Sequence, residues 1–270
     1  LHISFCPNLK SMPCCAKVGN LTLVNVNENL SVVTMASGTE ISVASSSTSS
    51  GSSSKLESLQ ISNVEALISL PQKSLSHLAT LEICDHQLVS VSRLEELFKN
   101  LNSLSCLQFI GCSNLRSING GLEHLTALEK LVLCSSKALD LSPSQDVEDS
   151  MPWGALTNLQ HLHFVWLPKL VDLPNGLQQL TNLRTLHIWN GNLEALPEWI
   201  DCFSSLVDMK LQCCDKLTSL PEGFRKLTKL NELRIISCRG LTKRCRGPAG
   251  EDWLKIQHIP LVIVKEKELD

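Results

Sequence analysis

Residues 170–241 read LVDLPNGLQQLTNLRTLHIWNGNLEALPEWIDCFSSLVDMKLQCCDKLTSLPEGFRKLTKLNELRIISCRGL. In register, this is one pattern written three times. Leu173-Pro174, Leu196-Pro197 and Leu220-Pro221 open the copies, and Leu183, Leu206 and Leu230 stand ten residues after each opening leucine. Leu186-x-Ile188, Met209-x-Leu211 and Leu233-x-Ile235 follow, with a period of 23–24 residues. Within each of these triplets the apolar residues alternate, which predicts a short strand with one buried face. One copy supplies one strand, so that strand must pair with the strand of the next copy, and the two run parallel. A single copy has too few apolar side chains to offset the entropy of ordering its backbone. Stability must come from stacking.

A fixed period of this length carrying L-x-x-L-x-L is the signature of a leucine-rich repeat. The expected fold is an α/β solenoid. It is a horseshoe with a curved parallel β-sheet on its concave face and mostly loops, turns and short helices on its convex face. Strands sit about 4.8 Å apart while the returning chain is bulkier, so the stack bends. The pattern also runs through Leu56/Leu59/Ile61, Leu78/Leu81/Ile83, Leu104/Leu107/Phe109, Leu128/Leu131/Leu133 and Leu159/Leu162/Phe164. Leu1-His2-Ile3 reads as the end of a partial repeat, and Leu21-x-x-Val24-x-Val26 as a degraded one. About ten repeats in a single domain over residues 1–270 result, and the chain is expected to be cut from something longer on its N-terminal side. Two steps are long. Residues 37–54 (SGTEISVASSSTSSGSSS) form a Ser-rich insertion expected to be flexible, and residues 140–152 (DLSPSQDVEDSMP) an acidic loop. Residues 242–270 are expected to cap the core, with Trp253, Ile256 and a last strand at Ile259–Val264.

Composition narrows the function. A formal net charge of −3 argues against a general nucleic-acid or anionic-membrane surface, and no run of apolar residues is long enough to span a bilayer. No phosphate loop, H-E-x-x-H, G-x-S-x-G or G-x-G-x-x-G occurs. His161 and His163 are two apart on a strand, but zinc would need further ligands that other strands do not bring near. No catalytic, cofactor or metal site is therefore expected. Of the twelve cysteines, Cys6, Cys112, Cys214 and Cys238 each stand three residues after the last apolar residue of a strand. An inward turn there suits a small thiol with a weak donor. Reduced, structural cysteines point to a reducing compartment.

What remains is the surface. The central outward position carries Gln60, Glu82, Gln108, Val132, His163, His187, Lys210 and Arg234, with Asn25 read at that position in the degraded repeat. Two residues on come Ile110, Cys134, Val165, Trp189, Gln212 and Ile236, and Trp166 follows Val165. The middle of the arc is thus apolar and aromatic, and its C-terminal side carries Asp208, Lys210, Glu232 and Arg234. His163, Trp166, His187, Trp189, Asp208, Lys210, Gln212, Glu232 and Arg234 form the candidate protein-binding set, because exposed Trp and Arg are frequent interface anchors. The alternative is that Trp166 or Trp189 packs against the returning chain, or that a further domain covers the patch.

Three features together resemble a known family. They are LPEGFRKLTKLNELRIISC at 220–238, the run of that repeat into LTKRC at 241–245, and GEDWLKIQHIP at 250–260. They are similar to the C-terminal leucine-rich repeat domain of plant intracellular nucleotide-binding leucine-rich-repeat immune receptors (disease resistance proteins) of the coiled-coil class. The resemblance implies recognition of a pathogen effector, or of a host guardee protein that an effector modifies. It also implies restraint of a nucleotide-binding module of the same receptor, with ATP or ADP held on that module outside this chain. A cytoplasmic location, extending to the nucleus, goes with it. Such domains vary most at the outward strand residues, so no contact residue carries over. Two other readings stand beside it. One is the substrate-recruiting repeat domain of a ubiquitin ligase, which an upstream F-box would mark. The other is an extracellular ectodomain, favoured by the sequons Asn20-Leu21-Thr22 and Asn29-Leu30-Ser31 and opposed by the irregular repeat lengths and the absence of a G-x-I-P repeat.

Overall fold

The computed structural model describes residues 1–13, 18–27, 30–33, 56–141 and 151–266. The Ser-rich stretch 37–54 and residues 142–150 of the acidic loop lie outside these. Among the described residues, eleven strands form one parallel sheet in chain order, each pairing with the next. They are β1 (His2–Ser4), β3 (Asn20–Val24), β5 (Ser58–Ile61), β6 (Thr80–Ile83), β7 (Cys106–Ile110) and β8 (Lys130–Cys134). β9 (His161–Val165), β10 (Thr185–Trp189), β11 (Asp208–Gln212), β12 (Glu232–Ile236) and β13 (Leu261–Lys265) complete it. Two further strands, β2 (Ser11–Pro13) and β4 (Ser31–Val33), pair with each other.

The alternation in L-x-L sets the layers. Leu186 and Ile188 of β10 are buried, as are Met209 and Leu211 of β11 and Leu233 and Ile235 of β12, and all join one continuous core. The Leu-Pro dipeptides begin the return. Pro174, Pro197 and Pro221 each stand immediately before a 3₁₀ turn, at Asn175–Gln179, Glu198–Cys202 and Glu222–Lys226. Proline's fixed φ presets the entry, and its missing N–H is one the first turn cannot use anyway. The returns from β7 and β8 also use 3₁₀ turns, at Leu122–His124 and Trp153–Ala155, whereas those from β5 and β6 include short helices: α1 (Val64–Ser69), α2 (Gln72–Leu75) and α3 (Glu95–Phe98).

The sheet corrects the reading of the degraded repeat. Leu21 and Leu23, not Val24 and Val26, pair with Leu59 and Ile61, so Thr22 takes the outward central position. Asn25 lies just past the strand with φ 51°. Apolar residues at 21, 23, 24 and 26 satisfy either register, and pairing with β5 decides between them.

That left-handed residue is a device of the fold. Two positions after the last residue on the inward row of each strand (Ile3, Leu23, Phe109, Leu133, Phe164, Leu211 and Ile235), Phe5, Asn25, Gly111, Ser135, Trp166, Cys213 and Ser237 all have φ between 50° and 68°. The reversal swings the next residue inward, where Cys112, Cys214 and Cys238 are buried. Their thiols donate to the previous repeat: Cys112 Sγ to the Ile83 carbonyl at 3.3 Å and Cys238 Sγ to that of Leu211 at 3.4 Å. Cys6 is the exception to the inward expectation. It is exposed, and its thiol donates to the Ser4 carbonyl of β1 at 3.3 Å. The ten cysteines among the described residues are free thiols.

The C-terminal end is closed by α4 (Arg239–Cys245), α5 (Trp253–Ile256) and β13. Asp252 is its pivot. Fully buried, it accepts from the Leu220 amide at 3.1 Å, Arg244 Nε at 2.9 Å and Lys255 Nζ at 2.9 Å. Gly250 precedes it because a Cβ there would lie 2.2 Å from the Arg244 carbonyl oxygen. Ile256 and Ile259 are buried beneath, and Trp253 is half-buried against the core.

Candidate functional site

The concave face is laid out in three rows by the alternation of each strand. Pairing fixes who stands beside whom: Lys130–His161–Thr185–Asp208–Glu232 in the first row and Val132–His163–His187–Lys210–Arg234 in the second. The third is Cys134–Val165–Trp189–Gln212–Ile236. Neighbours along a row come from successive repeats, about 4.8 Å apart.

The structure joins most of the candidate residues. The rings of His163 and His187 stack with centroids 4.5 Å apart. His187 Nε2 lies 2.8 Å from Asp208 Oδ1. Arg234 then spans two carboxylates, with Nη1 3.5 Å from Asp208 and Nη2 2.7 Å from Glu232. Asp208 and Glu232 are direct cross-strand neighbours, so the guanidinium relieves a like-charge repulsion as well as orienting both. The result is an ionic ladder across β10, β11 and β12. Lys210 lies within it and is also engaged. Gln212 differs from its candidate role: it is only 7% exposed, and Ile236 beside it is buried too.

The aromatic pair lies one row away. Trp166 is 54% exposed, and its ring centroid is 5.6 Å from that of Trp189 in a tilted contact. The Trp166 amide donates to the Trp189 carbonyl at 2.8 Å, which holds the φ 53° turn against the next strand. Trp189 is half-buried, and its indole Nε1 is buried without a hydrogen-bond partner. A buried donor without an acceptor costs about 1–3 kcal/mol. Trp189 packs against Trp166, and Trp166 stays open.

The first row shows what the sequence reading passed over. Lys130 and His161 are adjacent and half-buried, with His163 on the same face of β9. Burial lowers the pKa of His163 to about 4, and the charges of His187, Lys130 and His161 add to that; Asp208 opposes them. His161 is lowered for the same first reason, with Lys130, His187 and Arg184 contributing and Glu129 opposing. Lys130 was recoverable from the alternation, two residues before Val132, had all three outward positions been read. Among the described residues no three His, Cys, Asp or Glu side chains cluster as a metal site. No helix among them is long and apolar enough to cross a membrane.

Stacked parallel strands, one per repeat, with a leucine core and 3₁₀ or helical returns define the class: a leucine-rich repeat solenoid. Two solved leucine-rich repeat structures share the fold. The repeat domain of the type III effector XopL superposes with a TM-score of 0.51 at 20% identity, covering 71% of this chain and 70% of that one. The TLR13–ssRNA13 complex gives 0.59 at 22% identity, covering 88% of this chain and 32% of that one. At these identities the likeness concerns the fold alone.

Residues 157–238 match the family described as R13L1/DRL21 leucine-rich repeats. At1g50180 of Arabidopsis thaliana, named as a disease resistance protein, is 30% identical over 200 residues, covering 67% of this chain and 22% of that protein. The disease resistance protein RPP8 of the same plant is 32% identical over 123 residues, covering 42% of this chain and 13% of RPP8. The chain belongs with the leucine-rich repeat domains of plant disease resistance proteins. It spans about a fifth or less of the length of these relatives.

Proposed function

We propose that the chain is the recognition module of an intracellular plant immune receptor. Its concave face takes a pathogen effector or an effector-modified host protein, and the same domain restrains a nucleotide-binding switch module elsewhere in the receptor. The observation that carries this reading is the pairing of an open Trp166 with Trp189 beside the His187–Asp208–Arg234–Glu232 ladder. Large aromatics and arginine, flanked by polar groups, are the residue types that dominate protein–protein contacts. The relatives named as disease resistance proteins support the immune setting. The module acts without catalysis of its own, by binding, in the cytoplasm or nucleus.

Trp166→Ala in the full-length receptor, expressed in leaf tissue, is the test. Trp166 is open and lies outside the leucine core, so the substitution leaves the fold in place. The expected result is loss of effector-triggered cell death or, if the nucleotide-binding module is the occupant, cell death without effector. A variant at normal abundance that leaves both the triggered and the resting state unchanged overturns the proposal.

A further inference from the structure

The proposed recognition face has a polarity that narrows its partner. Lys130, His161 and His163 lie on two adjacent strands, and among the described residues none of the three makes an ion pair or hydrogen bond. The carboxylates whose charge reaches the two histidines are Glu129 and Asp208, and Asp208 is already held by His187 and Arg234. Burial keeps both imidazoles neutral at physiological pH, so the cluster offers one cation, Lys130, beside two half-buried imidazoles that can each donate an N–H to an anion. In the third row of these strands and of β10 the surface turns apolar through Cys134, Val165 and the Trp189–Trp166 pair. The Trp189 indole N–H there is buried with no acceptor.

We infer that the β8–β10 section of the concave face docks an extended protein segment carrying an acidic residue close to a large apolar one. The inference rests on the recognition reading above and deepens it. Lys130, His161 and His163 take the carboxylate, and Trp166 takes the apolar side chain. Movement of the Trp166 ring lets a backbone carbonyl of the segment reach the Trp189 N–H. The spacing follows from strand geometry. The basic and apolar groups lie two to five residues apart along β9, about 7–16 Å at 3.3 Å per residue. An extended partner matches that span with its acidic and apolar side chains two to five residues apart.

The test pans a random dodecapeptide library against the whole 270-residue chain. Enriched peptides are expected to carry Asp or Glu two to five residues from Trp, Phe or Leu. Changing that acid to Asn or Gln should weaken binding at least tenfold, a comparison that needs no protein variant. Lys130→Gln and Trp166→Ala should each do the same with an unchanged melt, while Lys229→Glu in another repeat should do nothing. If the enriched peptides are neutral or basic, or tolerate the Asn or Gln swap, the acidic partner is refuted. In that case the recognition reading still stands if Trp166→Ala weakens them. If neither Lys130→Gln nor Trp166→Ala matters, the peptides dock elsewhere and both readings fail. No enrichment above a chain-free surface also counts against the inference.

Discussion

Asp252→Asn tests whether the C-terminal cap holds the stack as its geometry implies. The native carboxylate is 0% exposed and is contacted by Arg244 Nε at 2.9 Å, Arg244 Nη2 at 3.3 Å, Lys255 Nζ at 2.9 Å and the Leu220 amide at 3.1 Å. The amide keeps the shape and loses the charge, and its own N–H donors then face donors. Removing one partner of a buried ion pair costs about 3–5 kcal/mol. Arg244 and Lys255 remain 32% and 15% exposed and recover some hydration, which places the loss at the low end, about 3 kcal/mol. Repeats couple only to their neighbours, so the effect should be local. At about 1.4 kcal/mol per decade, opening of the cap should become about 100-fold more frequent.

Hydrogen exchange resolved by peptide mass spectrometry reads this directly. Amides of 232–265, among them Leu261 N–H bonded to the Asn231 carbonyl, should exchange about 100-fold faster. Amides of 106–165 should not change. Exchange in 232–265 within threefold of the native chain, or equal acceleration in both regions, refutes the reasoning. Acid gives a second arm. Burial raises the Asp252 pKa, but its bonds to Arg244, Lys255 and the Leu220 amide outweigh that and leave it below the usual carboxylate value. A depressed carboxyl stabilises fully above its unfolded pKa of about 3.9 and loses that stabilisation as pH falls through the folded value. The native cap should therefore hold steady down to about pH 4 and loosen below, whereas the Asn variant is already loose at neutral pH.

Leu186→Asp places an uncompensated charge at a fully buried strand position. It should cost about 5 kcal/mol or more and abolish the cooperative melt; an unchanged melt would overturn the register itself. His163, with its folded pKa near 4 against about 6.5 unfolded, makes the folded state bind fewer protons between those values. Stability should fall as pH drops from about 6.5 to 4, and His163→Gln should flatten that slope in thermal melts; equal slopes refute it. In brief alkylation at neutral pH, Cys6 should react while Cys112 and Cys245, both pushed up to about 12 by burial, react only after unfolding. Equal labelling of Cys6 and Cys112 would show that the inward turn is wrong.

How far the sequence could be read depended on how redundant each signal was. Leu186, Met209 and Leu233 repeat one another, so the core and the pairing of β10, β11 and β12 follow from periodicity alone. Where apolar residues crowd, as at Leu21, Leu23, Val24 and Val26, the pattern allows two frames, and only the neighbouring strand selects one. The site was legible as a set of outward positions but not as contacts. The bridge from Asp208 through Arg234 to Glu232 depends on side-chain reach across strands, and the partnerless Trp189 N–H on how Trp166 lies beside it. Asp252 reads as one more acidic residue until Arg244, Lys255 and the Leu220 amide converge on it from three separate segments.

The repeat also explains why a face of this kind can change its specificity without endangering its fold. Lys130 and His161 pair in register although the step between them is longer than the usual 23–24 residues. Added length enters the return rather than the strand, where loop-closure entropy rises only slowly with length. A one-residue slip inside L-x-L would instead turn every buried leucine of that strand outward. Substitution at Lys130, His163 or Trp166 leaves Leu131, Leu162 and Leu186 where they are, because alternate residues face opposite sides of the sheet. Arg234 is more constrained, since Asp208 and Glu232 depend on it. The ladder on β10–β12 should therefore tolerate exchange less readily than the basic and aromatic residues on β8 and β9, which makes the β8–β9 end the part of the face freer to follow a changing partner.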